Sequence, residues 1–166
     1  MAKKILAKRQ TLEEKQKLIT DFSVKLRGEV LERCIEFEMA INQYIMTYFH
    51  KTDKNKQFDV LFYLLDRMSF DAKISVFQEM LKQRFGDDYK NICERKIGKL
   101  RWLKEHRNVF AHYMTDLRAD SPSNGVNYFK FRNKMQFEYY DLEKIETIFT
   151  QANEVVKWIE ELSKTK

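Results

Sequence analysis

The chain contains very few residues that break a helix. Its 166 residues include only 4 glycines and 1 proline. Proline removes a helical hydrogen bond and glycine destabilises a helix interior, so a chain with few of either can sustain long helices with few sharp turns. Hydrophobic residues make up 43% of the sequence, which is enough to bury a core between such helices. We therefore predict a largely α-helical fold.

The first third of the chain has the signals of one long helix or two consecutive helices. Thr11 and Glu14 have the spacing of a capping box, which predicts a helix that starts near Leu12. Gly28 could divide the run that follows or be tolerated within it. Beyond this glycine, residues keep helical spacing: Leu31, Ile35, Met39, Asn42 and Ile45.

The middle of the chain predicts two more helices. Residues 50–56 (HKTDKNK) are polar and indicate a loop, whereas residues 57–68 (QFDVLFYLLDRM) indicate a short, strongly apolar helix. Ser69 is a suitable N-cap for the next helix, and Gly86 is a suitable stop. A further helix or helix pair is expected to follow Gly86.

The periodicity changes after the loop at 118–125 (RADSPSNG). Over 126–140, aromatic side chains alternate with charged or polar ones, and Asn133 and Lys134 suit a tight turn, so we predict a β-hairpin. Residues 141–162 return to helical spacing, with seven apolar positions on the inner side: Ile145, Ile148, Phe149, Ala152, Val155, Val156 and Ile159. The predicted fold is an all-α helical bundle with one short β-hairpin before the C-terminal helix.

The composition predicts one domain in a reducing compartment. No Pro-, Gly- or Ser-rich linker is evident, so we expect a single helical domain over 11–166 behind a basic tail at 1–10. Cys34 and Cys93 lie far apart without metal-ligand spacing, which indicates buried thiols. The apolar part of the basic start is too short for a signal peptide, and no apolar stretch approaches the roughly 20 residues of a membrane span. We therefore expect a cytoplasmic protein that does not enter a membrane.

Residues 103–114 (LKEHRNVFAHYM) place a charged residue in a helical packing face. Arg107 falls in the middle of an apolar arc, and burying a charge without partners costs several kcal/mol, which indicates a wet, shared cleft. At about 100° per residue, Asn108 and His112 share a stripe roughly 100–140° from Arg107. The arc itself has three- and four-residue spacing: Leu100, Leu103, Phe110, Ala111 and Met114.

Positive charge is concentrated just before this segment. The net charge of the chain is +6, and seven basic but only two acidic residues lie between Lys90 and Arg107. Such a segment can be a solvated helix face or a phosphate-binding surface, whose affinity falls as salt rises. Its position beside the Arg-Asn-His segment favours the second interpretation. We predict that RNA binds the surface formed by Lys90, Arg95, Lys96, Lys99, Arg101 and Lys104.

The residue types of this segment suit phosphodiester chemistry. Arginine presents a fixed fork of donors that matches phosphate oxygens, and histidine can accept or donate a proton near neutral pH. RNA supplies its own nucleophile, the 2′-hydroxyl, so we expect neither a metal nor another cofactor. The sequence has no Gly-rich phosphate loop, zinc-type His pair or nucleophile-elbow motif. A C2 homodimer that packs two motif helices together would supply both an acid and a base.

Residues 107–112 (RNVFAH) resemble the R-x-x-x-x-H signature of HEPN domains (higher eukaryotes and prokaryotes nucleotide-binding), in the R-N-x-x-x-H form common in that family. The resemblance covers nearly the whole chain in architecture but only six residues in motif. It implies a helical bundle that acts as a metal-independent endoribonuclease in toxin–antitoxin, abortive-infection or other defence systems. It also implies a dimer whose two motifs face one cleft. By position, Arg107 and His112 match the catalytic pair of the family, and Asn108 matches its frequent polar neighbour.

The resemblance also implies supporting residues and partners. Such families often add an acidic or polar residue from an early helix, for which Glu38 and Asn42 are the candidates. In the alternative interpretation, Glu38 faces solvent and Asn42 bonds to a neighbour. Tyr113 is a third candidate, and an antitoxin or nucleotidyltransferase is an expected partner. The H-x-Y pattern that a partner nucleotidyltransferase modifies is absent, because residues 112–114 read HYM.

Two other functions are also consistent with the sequence. Many HEPN-like domains do not cut RNA, so a catalytically silent module for nucleotide binding, RNA binding or dimerisation is the first alternative. A structural interaction protein is the second, because a buried Arg and His can be satisfied structural residues. An enzyme would lose activity when Arg107 or His112 is changed. A binding module would lose salt-sensitive RNA affinity, and a structural protein would lose stability or its dimer.

Overall fold

A computed structural model describes residues 11–118, 125–132 and 134–164, without the side chain of Arg132. The fold is mostly α-helical with a small antiparallel sheet before the C-terminal helix, as the sequence predicted. The predicted tail at 1–10, most of the predicted loop and the predicted turn residue Asn133 lie outside the described residues. The helices and strands are α1 (Leu12–Phe49), α2 (Lys54–Tyr63), α3 (Phe70–Phe85), α4 (Tyr89–Ile92), α5 (Glu94–His112), β1 (Met114–Thr115), β2 (Gly125–Arg132), β3 (Lys134–Asp141) and α6 (Leu142–Lys164).

Helix α1 begins at the predicted capping box and continues across Gly28. The Glu14 N–H donates to Thr11 Oγ1 at 3.2 Å, and the Thr11 N–H donates to the Glu14 carboxylate at 2.9 Å. Ile35 and Met39, which belong to the apolar stripe predicted for α1, are exposed. Helix α1 therefore buries a different stripe from the predicted one. The apolar residues that α1 buries are Ile19, Leu26, Val30, Cys34, Phe37, Ile41, Tyr44 and Ile45.

Helices α2 and α3 both begin at side-chain caps. The Lys56 N–H donates to Asp53 at 3.1 Å, so α2 begins inside the stretch predicted to be a loop. Ser69 and Gly86 flank α3 as predicted, and Gly86 has a φ of 53°, in the left-handed region that favours glycine. Helix α2 buries only Gln57. Several of its large apolar side chains are exposed: Phe58, Phe62 and Tyr63.

Helices α1, α3, α5 and α6 pack around one hydrophobic core. Tyr44 of α1 and Trp158 of α6 both contact Phe77 of α3 edge-on, with ring centroids 5.0 and 5.8 Å away. The inner side of α6 is as predicted, with Phe149 and Val156 half-buried and the remaining apolar positions buried. No helix among the described residues is both long and apolar enough to cross a membrane. This packing leaves the C-terminal end of α5 beside the sheet.

The sheet contains one more strand than the predicted hairpin. β2 and β3 are antiparallel, with Val126 opposite Tyr140, and β1 pairs with the other edge of β2. Met114 therefore belongs to a strand, and its assignment to the helical arc was wrong. Helix α5 ends at His112 because the backbone becomes extended at Tyr113 and then pairs with β2.

Candidate functional site

Arg107 lies on α5, and its side chain is half-buried. Its Nη1 donates to Asn108 Oδ1 at 3.4 Å, and no carboxylate in the described part of the chain forms an ion pair with it. The guanidinium lies near the thiol of Cys34 on α1. Burial raises the pKa of this thiol to about 12, and the positive charge of Arg107 opposes that rise. Arg107 therefore keeps most of its donors available for an anion.

His112 is the last residue of α5, and its side chain is exposed. It lies about 140° around the helix from Arg107 and about 7.5 Å along it, whereas Asn108 is one turn before it on the same stripe. One copy of the chain thus presents Arg107 on one side of α5, next to α1, and Asn108 and His112 on the neighbouring side. The hydrogen bond between Arg107 and Asn108 links these two sides.

The C-terminal end of α5 is held by Arg27 of α1, a residue that the sequence did not indicate as part of the site. Its Nη1 donates to the Phe110 carbonyl at 2.5 Å, and its Nη2 donates to the Tyr113 carbonyl. These bonds satisfy carbonyls that lack a helical partner at a helix end. Arg27 therefore positions the helix end that carries His112. No local signal could reveal this role, because the two carbonyls lie 83 and 86 residues away in sequence.

The two supporting candidates on α1 lie in different surroundings. The Glu38 carboxylate accepts from Lys73 Nζ of α3 at 2.6 Å, and the Lys73 side chain is only 6% exposed. Asn42 lines a cavity of about 880 Å³ between α1, α2 and α6, where its buried Oδ1 has no hydrogen-bond partner among the described residues. Glu38 therefore forms an ion pair with α3 and Asn42 lines this cavity, and neither forms a hydrogen bond or ion pair with Arg107 within the described part of the chain.

The predicted RNA-binding surface is partly neutralised by acidic side chains. Lys99 pairs with Glu154 at 2.6 Å and Lys104 pairs with Asp71 at 2.7 Å, and these contacts lower the pKa of both carboxyl groups. Arg101 donates to a glutamine of α3 at 2.8 Å. The remaining members of this basic surface form no ion pair within the described part of the chain: Lys90, Arg95 and Lys96.

A cavity of about 300 Å³ lies between α5 and the β2–β3 hairpin. Asn108 and Tyr113, two of the predicted site residues, line it together with side chains of the hairpin. Lys130 of β2 places its ammonium 4.4 Å from the centre of the Tyr113 ring. The hairpin thus forms a wall beside the candidate motif, a contact that the sequence did not indicate. We name this space the hairpin cavity.

His106 forms part of the hairpin cavity and is neutral. Its Nδ1 lies 2.8 Å from Tyr140 Oη, and its ring contacts Trp102 edge-on with centroids 4.2 Å apart. Burial lowers the pKa of His106 to about 4, and the nearby ammonium of Lys144 acts in the same direction. At neutral pH this imidazole is therefore an uncharged packing and hydrogen-bonding group.

Acid is expected to destabilise the fold through His106. Its pKa is about 4 in the folded protein, against 6.5 for the unperturbed group, so below pH 6.5 the unfolded chain binds a proton that the folded chain does not. Well above pH 6.5 His106 is neutral in both states and does not affect the free energy of unfolding. As the pH falls from 6.5 towards 4, this free energy decreases by up to about 3 kcal/mol. Urea unfolding at several pH values should show that His106→Gln loses less stability over this range than the wild type. Equal losses would mean that the folded protein also protonates His106.

Among the residues that the structure describes, no group of three or more His, Cys, Asp or Glu side chains could hold a metal ion.

No known family model matches the chain, and neither does any curated protein or solved structure.

Proposed function

We propose that the protein is a metal-independent endoribonuclease of a toxin–antitoxin or other defence system, and that it acts as a cytoplasmic homodimer. The observation that carries the proposal is the environment of Arg107. This half-buried guanidinium has no acidic partner in the described part of the chain, bonds to Asn108 and precedes the exposed His112 on the same helix. The resemblance of residues 107–112 to the HEPN signature supports the same proposal. The proposal also includes control of the ribonuclease by an antitoxin or a nucleotidyltransferase partner.

The reaction follows from the residue types. His112 of one copy takes the proton from a 2′-hydroxyl, and the 2′-oxygen attacks the adjacent phosphorus. The bond from phosphorus to the 5′-oxygen breaks, leaving a 2′,3′-cyclic phosphate, and His112 of the second copy protonates the departing oxygen. Arg107 holds the phosphate and stabilises the negative charge that builds up on it, while Asn108 orients the phosphate or the guanidinium.

The surface of α1 beside Arg107 suits an interface between two copies. Arg27 and Cys34 mark the part of α1 that approaches α5, and the half-buried Leu31 lies between them. Val24 and Ile35 lie roughly 60–80° around α1 from Arg27, and both are exposed, at 65% and 56%. Burying them against a second copy would bring two motif helices to one cleft and leave Arg107 facing it.

The basic surface binds the phosphates of the RNA that lie outside the cleft. Lys99 and Lys104 already neutralise carboxylates, so they contribute less to phosphate binding than their unpaired neighbours. Lys90 and Arg95 are exposed and form no ion pair with a described residue. We therefore assign the main phosphate contacts outside the cleft to these two residues.

The chemistry of the products tests this proposal. The purified protein is expected to cleave single-stranded or loop RNA in the presence of EDTA, and the upstream product should carry a 2′,3′-cyclic phosphate. A single 2′-deoxy nucleotide at the cut site should block cleavage, because it removes the nucleophile. The same substitution two nucleotides away is the control and should leave cleavage intact. Cleavage that needs added magnesium, or that persists at the 2′-deoxy position, would contradict the mechanism and favour the binding module.

A further inference from the structure

Asn108 belongs both to the surroundings of Arg107 and to the hairpin cavity. Its Oδ1 accepts from Arg107 Nη1 at 3.4 Å, and the same side chain lines the cavity. A phosphate held by Arg107 would therefore have this cavity beside it. The nucleotide attached to that phosphate is the group best placed to enter.

The size and walls of the hairpin cavity suit one nucleotide. Its volume of about 300 Å³ is at the lower end of the range for small-molecule sites. The half-buried ring of Tyr113 provides a face on which a base can pack, and the buried side chains of Val109 and Tyr140 form the back of the cavity. His106 is held in place by its bond to Tyr140, so this wall is formed before a ligand binds.

The two hairpin strands each add a charged group to the cavity. Lys130 of β2 contacts the Tyr113 ring and forms no ion pair with a described residue, so its ammonium can bind a phosphate oxygen. Glu138 of β3 lies 3.4 Å from Lys144 Nζ, and its side chain is 46% exposed. An ionised carboxylate only accepts hydrogen bonds, so it pairs well with a base amino group and poorly with a base carbonyl.

We propose that the hairpin cavity is a nucleotide subsite that favours a base with an exocyclic amino group, such as cytosine, over one with a carbonyl in its place, such as uracil. Glu138 selects the base, Lys130 binds a phosphate, and Asn108 connects the subsite to Arg107. As a subsite of the ribonuclease, this inference rests on the proposed function. It assigns the hairpin the role of choosing which nucleotide lies next to the cut.

Binding of mononucleotides tests the subsite without any chemistry. Cytidine 3′-monophosphate contains no bond to a second nucleotide and cannot be cleaved by the proposed reaction, and uridine 3′-monophosphate is the matched competitor. The chain has two tryptophans, which give two indole N–H signals in a ¹H–¹⁵N spectrum. Trp102 contacts His106 of the cavity, whereas Trp158 contacts Phe77 in the core. We expect cytidine 3′-monophosphate to shift the Trp102 signal and leave that of Trp158 unchanged.

The discrimination between the two nucleotides should depend on Glu138. We expect the cytidine nucleotide to bind about tenfold more tightly, the ratio that one good base contact supplies. Glu138→Gln should abolish or reverse this preference, since an amide can donate to the uracil carbonyl. Lys130→Ala should weaken both nucleotides equally. Two exposed residues that do not line the cavity provide matched controls that should behave as wild type: Glu146→Gln and Lys134→Ala.

The subsite and the ribonuclease can fail separately. If RNA is not cleaved but cytidine 3′-monophosphate binds with the expected dependence on Glu138, the cavity is a nucleotide site and the nuclease proposal is wrong. If RNA is cleaved but neither nucleotide shifts Trp102, the subsite is wrong. Equal affinity for the two nucleotides, or a cytidine preference that survives Glu138→Gln, also overturns it.

Discussion

Replacing His112 with alanine is expected to slow RNA cleavage on the order of 10²–10⁴-fold, which is the range for the loss of a general acid or base. Arg107→Ala should cost on the order of 10²–10³-fold, because the charge that develops on the phosphate loses its fixed donors. Arg107→Lys should restore little, since an ammonium lacks the planar fork of the guanidinium. Single-turnover rates on one labelled RNA measure all three effects.

The controls separate chemistry from folding and assembly. His50→Ala and Arg67→Ala remove the same residue types from positions remote in sequence from α5 and should cleave at the wild-type rate. Light scattering should give the mass of a dimer for the wild type and for the His112 and Arg107 variants. If both variants cleave as fast as wild type, the RNA-binding module replaces the enzyme. A monomer at micromolar concentration, with and without RNA, would contradict the shared cleft.

Glu38→Ala is expected to destabilise the protein by about 3 kcal/mol, near the lower end of the range for breaking a buried ion pair. The change leaves the ammonium of Lys73 uncompensated in a site where its side chain is only 6% exposed. The double variant Glu38→Leu with Lys73→Met should recover most of this loss, because it buries apolar groups in place of two charges. Urea midpoints at constant slope measure these changes in the free energy of unfolding.

An exposed pair of nearly the same length provides the matched control. Lys82 and Glu79 lie 2.7 Å apart, but their side chains are 45% and 64% exposed. Glu79→Ala should therefore change stability by less than about 1 kcal/mol. If Glu38→Ala leaves stability unchanged and slows RNA cleavage instead, Glu38 supports the active site as the family resemblance suggested.

Local signals in the sequence determined where α1 begins and where α3 begins and ends. Side chains capable of capping stand at Thr11 and Ser69, and Gly86 adopts the backbone conformation that stops α3. These signals act over three or four residues and do not depend on the rest of the chain. The angular positions of Arg107, Asn108 and His112 on one helix could also be predicted from the sequence, because the period of a helix fixes their spacing.

The partners of the site residues could not be read from the sequence. Arg27, which holds the end of α5, and Lys73, which pairs with Glu38, belong to other helices. The hairpin cavity combines Asn108 with Lys130 and Glu138 from two strands. Each of these contacts joins residues more than a helical turn apart along the chain, where no local periodicity reports the distance between them.

Tertiary packing also decided which apolar stripe of α1 is buried. Ile35 and Met39 have helical spacing but stay exposed, whereas Phe37 and Ile41 on another side of the same helix are fully buried. Met114 continued the apolar arc of α5 in sequence, yet it lies in a strand because the chain pairs with β2 after Tyr113. The sequence specifies which faces can be buried, but the neighbouring helices and strands determine which faces are covered, because burial is a property of the contact between two elements.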